Sequence, residues 1–353
     1  MYSQHLYCWL LLAFLYFMLS PCTASAGKVS AIVVFGDSTV DPGNNNYIPT
    51  VIKSNFPPYG RDFDGGIATG RFSNGRLVTD FISEAFGLPP SVPAYLDPSC
   101  HIDQLSKGVS FASGGAGLDD LTSQATSAIS LRHQLELFKT YKEKLKVAKG
   151  ETLANDIITE ALYYFSIGNN DIGINYFALP VRRAQFTPAQ YAAYLVGRAR
   201  AAVRDVYDVG ARKIVLAGLL LVGCLPAQRT LNHDKPGECD ERHNQFARMF
   251  NAELQEAVRR LNGELAGAQV VYAEKYSVMS AILANPKEYG FENAAQGCCG
   301  TGLVETSFLC ALDAPLTCKD ANKYVFFDSA HPTQKTYNIE ARAMLKTELQ
   351  AFL

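Results

Sequence analysis

Five short apolar runs limit this chain more than any other feature. Residues 29–35 (VSAIVVF) are almost unbroken in apolar character and stop at Gly36. A strand with one face in water alternates apolar and polar side chains, so a continuous run marks a strand covered on both faces. Comparable runs follow at 108–112 (GVSFA), 162–167 (LYYFSI), 213–217 (KIVLA) and 269–273 (QVVYA). Between them the period changes. Thr187 and Pro188 form a cap and first-turn proline, and Tyr191, Leu195, Ala199, Ala202, Val203 and Val206 then recur at helical spacing. A second stripe comprises Phe246, Met249, Phe250, Leu254, Ala257, Val258 and Leu261. Strands alternating with helices give parallel β-α-β units, so the expected fold class is α/β, with an open sheet between helix layers. Residues 27–353 are expected to form a single domain.

The first 26 residues are set apart from this fold. Residues 9–19 (WLLLAFLYFML) are apolar and Ala24-Ser25-Ala26 follows at cleavage distance, the pattern of a signal peptide spanning 1–26. The run falls short of the roughly 20 residues that cross a bilayer, and no later stretch qualifies, so the expectation is a secreted, extracellular protein without a transmembrane segment. Cysteine usage agrees with export. Beyond the leader lie Cys100, Cys224, Cys239, Cys298, Cys299, Cys310 and Cys318, an odd set that allows three bridges and one thiol. Cys224 and Cys239 would close the Pro/Gly/Asn-rich loop between them. Adjacent Cys298 and Cys299 are expected in two bridges, towards Cys310 and Cys318. With 32 basic and 34 acidic residues the chain has no charge excess to hold nucleic acid or an anionic surface.

Ligands of open α/β sheets bind beyond the carboxyl ends of strands, so motifs placed there are the candidates for chemistry. Ser38, in Phe35-Gly36-Asp37-Ser38, directly follows the first run. Serine needs a base to act as a nucleophile near neutral pH, and His331 in Asp328-Ser329-Ala330-His331-Pro332 is a candidate, with Asp328 three residues away to orient it. Ala112 to Gly117 (ASGGAG) and Ile167 to Asp171 (IGNND) each follow a strand, offering backbone N–H groups and side-chain amides for an oxyanion. His101, His133, His233 and His243 lack such a setting and are assigned structural roles. The glycines complete no phosphate-binding motif. Ser73, in RFSNG, lacks the preceding glycine of a nucleophile elbow. Residues 41–98 are rich in Gly, Pro and Asn and read as long loops around one or two short helices, including 77–86.

Taken in order, FGDSTVDPGNNN (35–46), GVSFASGGAG (108–117), SIGNND (166–171) and DSAHPT (328–333) resemble the plant GDSL esterase/lipase family of SGNH hydrolases. GRFSNGR (70–76), GCLP (223–226) and GCCGTG (297–302) extend the resemblance over the chain. It implies a three-layer α/β/α sandwich with a mainly parallel five-stranded sheet. It also implies Ser38 as nucleophile, His331 as base and Asp328 as its partner, with Ser38 N–H, Gly114 N–H and Asn170 as the oxyanion hole. No cofactor or metal is implied. Two positions depart from the family pattern: Phe326-Phe327 stand where tryptophan usually precedes the aspartate, and Ser110 where asparagine is commoner. The expected function is carboxylic ester hydrolysis of a lipid or other acyl ester. The alternatives are an acyltransferase with the same triad, a carbohydrate deacetylase and a secreted binding module.

Overall fold

A computed structural model describes residues 29–312 and 314–353; the expected signal peptide lies outside them. The five apolar runs form β1 (Ile32–Gly36), β2 (Gly108–Ser110), β3 (Leu162–Ser166), β4 (Lys213–Ala217) and β5 (Gln269–Ala273). They make one fully parallel sheet in the order β2-β1-β3-β4-β5. The helices that flank the sheet include α1 (Val78–Ala85), α2 (Leu131–Lys149), α3 (Glu151–Glu160), α4 (Pro188–Val209), α5 (Glu241–Glu264) and α6 (Gln334–Lys346).

Period-two geometry sends neighbouring strand residues to opposite faces, and both faces are covered. Val33, Phe35, Tyr163, Phe165, Ile214 and Leu216 pack into a core with α2, α3, α4 and α5. Ile32, Val34, Leu162, Tyr164 and Val215 pack against Val78 and Ile82 of α1 and Tyr337, Ala341 and Met344 of α6. This is the three-layer α/β/α arrangement expected from the sequence. Thr187 caps α4, its hydroxyl accepting from Gln190 N–H while the Gln190 side chain accepts from Thr187 N–H. The apolar stripes of α4 and α5 face the core as read from their spacing.

A second sheet was not foreseen. β6 (Asn293–Gly297) pairs in parallel with β7 (Tyr324–Phe326), and β7 leads into Asp328. Among the described residues, three disulfides join Cys224 to Cys239, Cys298 to Cys318 and Cys299 to Cys310, leaving Cys100 as the free thiol. The two adjacent cysteines therefore serve two bridges, and both staple the segment between β6 and β7. No helix among the described residues is long and apolar enough to cross a membrane.

The sheet order creates the location of the site. From β1 the chain goes to β2 on one side, then crosses back to β3 on the other, so the loops leaving β1 and β3 diverge. A crevice opens at such a switch point beyond the strand ends. Ser38 follows β1 and Asn170 follows β3.

Candidate active site

The turn after β1 is held close to β3. Gly36 has φ +158°, and a Cβ there would lie 2.2 Å from the Ser166 carbonyl oxygen, so only glycine allows this approach. Gln134 of α2 serves both polar groups of Gly36, accepting from its N–H and donating to its C=O, each at 2.9 Å. Asp37 N–H donates to the Ser166 carbonyl at 3.0 Å. The result is a fixed platform from which the Ser38 side chain reaches a cavity.

His331 Nε2 lies 2.7 Å from Ser38 Oγ, and its Nδ1 lies 2.8 Å from both carboxylate oxygens of Asp328. The three residues lie at most 7 % exposed, although 293 positions separate serine from histidine. Nδ1–H donates to the carboxylate, so Nε2 is left as the acceptor for the serine hydroxyl. Asp328 Oδ1 also accepts from the N–H groups of Ala330 and His331, at 2.8 and 2.7 Å. Its Oδ2 accepts from Tyr59 OH at 2.6 Å and Thr306 Oγ1 at 3.1 Å. Burial pushes the Asp328 carboxyl up, but His331, Tyr59 and the backbone donors outweigh it and hold the group below the ordinary aspartate range.

Tyr59, fully buried, was not singled out in the sequence. Its oxygen also accepts from Ser307 N–H at 2.8 Å, tying the loop after β6 to the aspartate. Phe327 packs edge-on to the Tyr59 ring at 5.3 Å, so the aromatic pair before Asp328 supports this contact. Tyr59→Phe removes both bonds, one of them to a buried charge. It is expected to lower stability by about 1.5–3 kcal/mol in urea unfolding and to lower kcat by roughly tenfold through a less firmly held imidazole.

The segment 70–76 braces the histidine loop from the other side. The Phe72 ring lies 5.0 Å from the His331 ring. Ser73 Oγ donates to the Pro332 carbonyl at 3.0 Å, and Asn74 Oδ1 accepts from Gln334 N–H at 2.8 Å. Ser73 is thus a fully buried structural hydroxyl. Of the four histidines assigned structural roles, His243 is buried against the Phe177 ring at 4.0 Å.

The loops after β2 and β3 complete the crevice. Asn170 Nδ2 donates to the Ala116 carbonyl at 2.9 Å, which orients its amide, and both Asn169 and Asn170 line the cavity. Asp171 is buried beneath them and accepts from Leu118 N–H, Asp119 N–H and Thr122 Oγ1, so it joins the two loops. Burial pushes its carboxyl up to about 7 against those bonds. Gly114 is placed differently from the sequence expectation. Its N–H donates to Asp41 Oδ2 at 3.0 Å, because Asp41, also bonded to Gly43 and Asn44 N–H, reaches across from the turn after β1. The residue of this loop that lines the cavity is Gly115, whose N–H meets no acceptor among the described residues. Gly115 has φ +89°, and a Cβ there would come within 2.9 Å of Thr126 and Ile52, so a side chain is excluded. Ser38 N–H likewise meets no acceptor among the described residues.

The cavity measures about 270 Å³. Ile52, Ile174, Leu220, Val222, Leu225 and Val304 form its apolar walls, and among the described residues Asp37 and His331 are the ionisable groups lining it. Apolar walls thus stand beside a polar patch around Ser38 that also includes Asn169, Asn170, Gln228, Thr306 and Ser307.

The model of the GDSL-like lipase/acylhydrolase family matches residues 32–344. GDSL esterase/lipase At2g04570 of Arabidopsis thaliana is 47% identical over 95% of this chain and 96% of its own length. At2g42990 and At4g26790 of the same plant, both also GDSL esterase/lipases, are each 49% identical, over 91% and 93% of this chain and 92% and 93% of their own. A match of this extent, on a chain whose serine, histidine and aspartate are already in hydrogen-bond contact, establishes that the protein belongs to the GDSL esterase/lipase family of acyl-ester hydrolases.

Proposed function

We propose that this protein cleaves carboxylic esters through an acyl-enzyme formed on Ser38. The observation that carries the reading is the continuous contact from Ser38 Oγ through His331 to Asp328, at 2.7 and 2.8 Å. His331 takes the serine proton as Oγ attacks the ester carbonyl. Asp328, kept anionic, stabilises the imidazolium that forms. His331 then protonates the departing alcohol, and water attacks the acyl-serine by the same route in reverse.

The tetrahedral oxyanion is assigned to Ser38 N–H, the Asn170 amide and Gly115 N–H, the last in place of Gly114, whose N–H is already committed to Asp41. One Asn170 amide hydrogen is held by Ala116, leaving the second for substrate. Asn170→Ala is expected to lower kcat by about 10²- to 10³-fold with KM little changed. Steady-state kinetics on a p-nitrophenyl ester measures this, and near-normal turnover would remove Asn170 from the reaction.

The apolar walls support an apolar acyl group as the part that enters, and the absence of lysine and arginine from the lining among the described residues supports a neutral ester over a charged one. Export is part of the same reading, supported by three disulfides. N-terminal sequencing of the secreted protein is expected to start near Gly27; material that retains Met1 would contradict cleavage of the leader.

A further inference from the structure

A polar cluster lies behind the nucleophile turn, within the layer formed by the sheet and α6, and the reaction described above leaves it without a role. Lys275, two residues beyond β5, is wholly buried, as is Glu340 of α6, while Asp37 is 1% exposed. Asp37 Oδ2, both Glu340 carboxylate oxygens and Tyr337 OH have no hydrogen-bond partner among the described residues. Uncompensated carboxylates are costly in such a place, so the nearby ammonium matters.

The hydrogen bonds fix a direction. Thr39 Oγ1 donates to Asp37 Oδ1 at 2.7 Å, which uses its only proton. The 2.9 Å contact between Thr39 Oγ1 and Ser166 Oγ must therefore have Ser166 as donor. Ser166 Oγ is then left as an acceptor, and Lys275 Nζ lies 3.5 Å away as its donor. The chain runs Lys275, Ser166, Thr39, Asp37, each link pointing its proton towards the residue beside Ser38. Thr39 N–H also donates to Asp37 Oδ1, at 2.9 Å.

We infer that Lys275 is a positioning residue for the nucleophile: its buried side chain, relayed by Ser166 and Thr39, holds the Asp37 carboxylate as an acceptor and so fixes the turn that presents Ser38. The inference rests on the assignment of Ser38 as nucleophile. Burial leaves the Asp37 carboxyl above the ordinary aspartate range, although the Thr39 bonds, the Lys275 charge and His331 oppose that rise and so limit it. Glu340 is pushed up by burial and opposed by Lys275 alone. The titratable groups facing the cluster are Asp37, Glu340, His331, Asp328, Glu348 and the phenols of Tyr164 and Tyr337, whose own ionisation is pushed up by burial and by the carboxylates among them. An anionic Asp37 near His331 also favours the imidazolium formed during attack, so its protonation slows the reaction.

The test is the pH profile of kcat/KM with p-nitrophenyl butyrate, together with the rate of Ser38 labelling by a fluorophosphonate, in wild type, Lys275→Met, Lys275→Arg and Lys275→Met/Glu340→Gln. The double variant also removes the Glu340 carboxylate, which Lys275 alone opposes, and Lys275→Arg keeps the cation, so these are the forms expected to stay folded. The inference predicts that both methionine variants label about tenfold more slowly or worse with KM within about twofold, that their acidic limb moves up by about one pH unit or more, and that Lys275→Arg restores much of the loss. If the folded double variant keeps the wild-type profile and labelling rate, or only melts at a lower temperature, Lys275 merely fills space and the inference is overturned. Failure of the underlying assignment looks different: wild-type Ser38 itself would then resist the probe.

Discussion

Ser38→Ala is expected to lower acyl-ester turnover by about 10⁶-fold while the protein stays folded, because in the proposed reaction Ser38 is the nucleophile and its loss disables His331 and Asp328 as well. The magnitude follows from how the three residues act together. His331 Nε2 has Ser38 Oγ as its partner at 2.7 Å, and without that oxygen the base has no proton to take. The oxyanion donors remain, so a small residual rate over water is expected. Stability should change little, since the Ser38 side chain faces the cavity. Kinetics with unfolding curves in parallel separates this result from misfolding. A folded Ser38→Ala protein with more than about a tenth of wild-type turnover would require another nucleophile.

The largest stability effect is expected at Arg71. Its guanidinium meets Asp80 in two bonds of 2.8 Å, with 4% and 1% of the two side chains exposed. It also donates to the Val92 carbonyl at 2.9 Å and to Ser91 Oγ at 3.0 Å. Asp80 in turn accepts from Leu77 and Val92 N–H, each at 2.8 Å. This pair ties α1 to the loops on either side of it. Arg71→Met leaves the Asp80 charge buried without its cation and should destabilise the protein by about 3–5 kcal/mol in urea unfolding, as broken buried pairs do. Activity should fall with it, because Phe72, the next residue, packs on the His331 ring. A loss below about 1 kcal/mol would show the pair to behave like an exposed one.

The parts of this structure that were legible in the sequence share a physical cause. Strands of a parallel sheet covered on both faces must be continuously apolar, so β1, β3, β4 and β5 stood out as runs, and α4 and α5 as stripes. The serine and histidine motifs sit at strand and loop ends, where few structural demands explain them. β6 was illegible because Asn293 to Gln296 are half-buried or exposed and its sequence has no apolar run; it pairs with β7 across the disulfide-stapled segment between them. Tyr59 was missed for another reason. It looks like any loop tyrosine, and its partner Asp328 lies 269 positions away. Gln134 reads as an ordinary polar residue of α2, yet it serves the backbone of Gly36. In the run Gly114-Gly115 the sequence cannot say which N–H faces the crevice, because glycine's freedom at positive φ lets either turn inward. Asp41 decides it by taking the N–H of Gly114. Lys275 carried no signal at all, since a lysine after a strand normally points to water.

The central claim is that the contact among Ser38, His331 and Asp328 makes Ser38 a reactive nucleophile. Intact-mass measurement after incubation with a fluorophosphonate, with Ser38→Ala in parallel, tests it most directly. The account predicts a single stoichiometric adduct that maps to the peptide containing Ser38 and disappears in the alanine variant. A folded wild-type protein that gains no adduct, or an adduct that persists in Ser38→Ala, would contradict it.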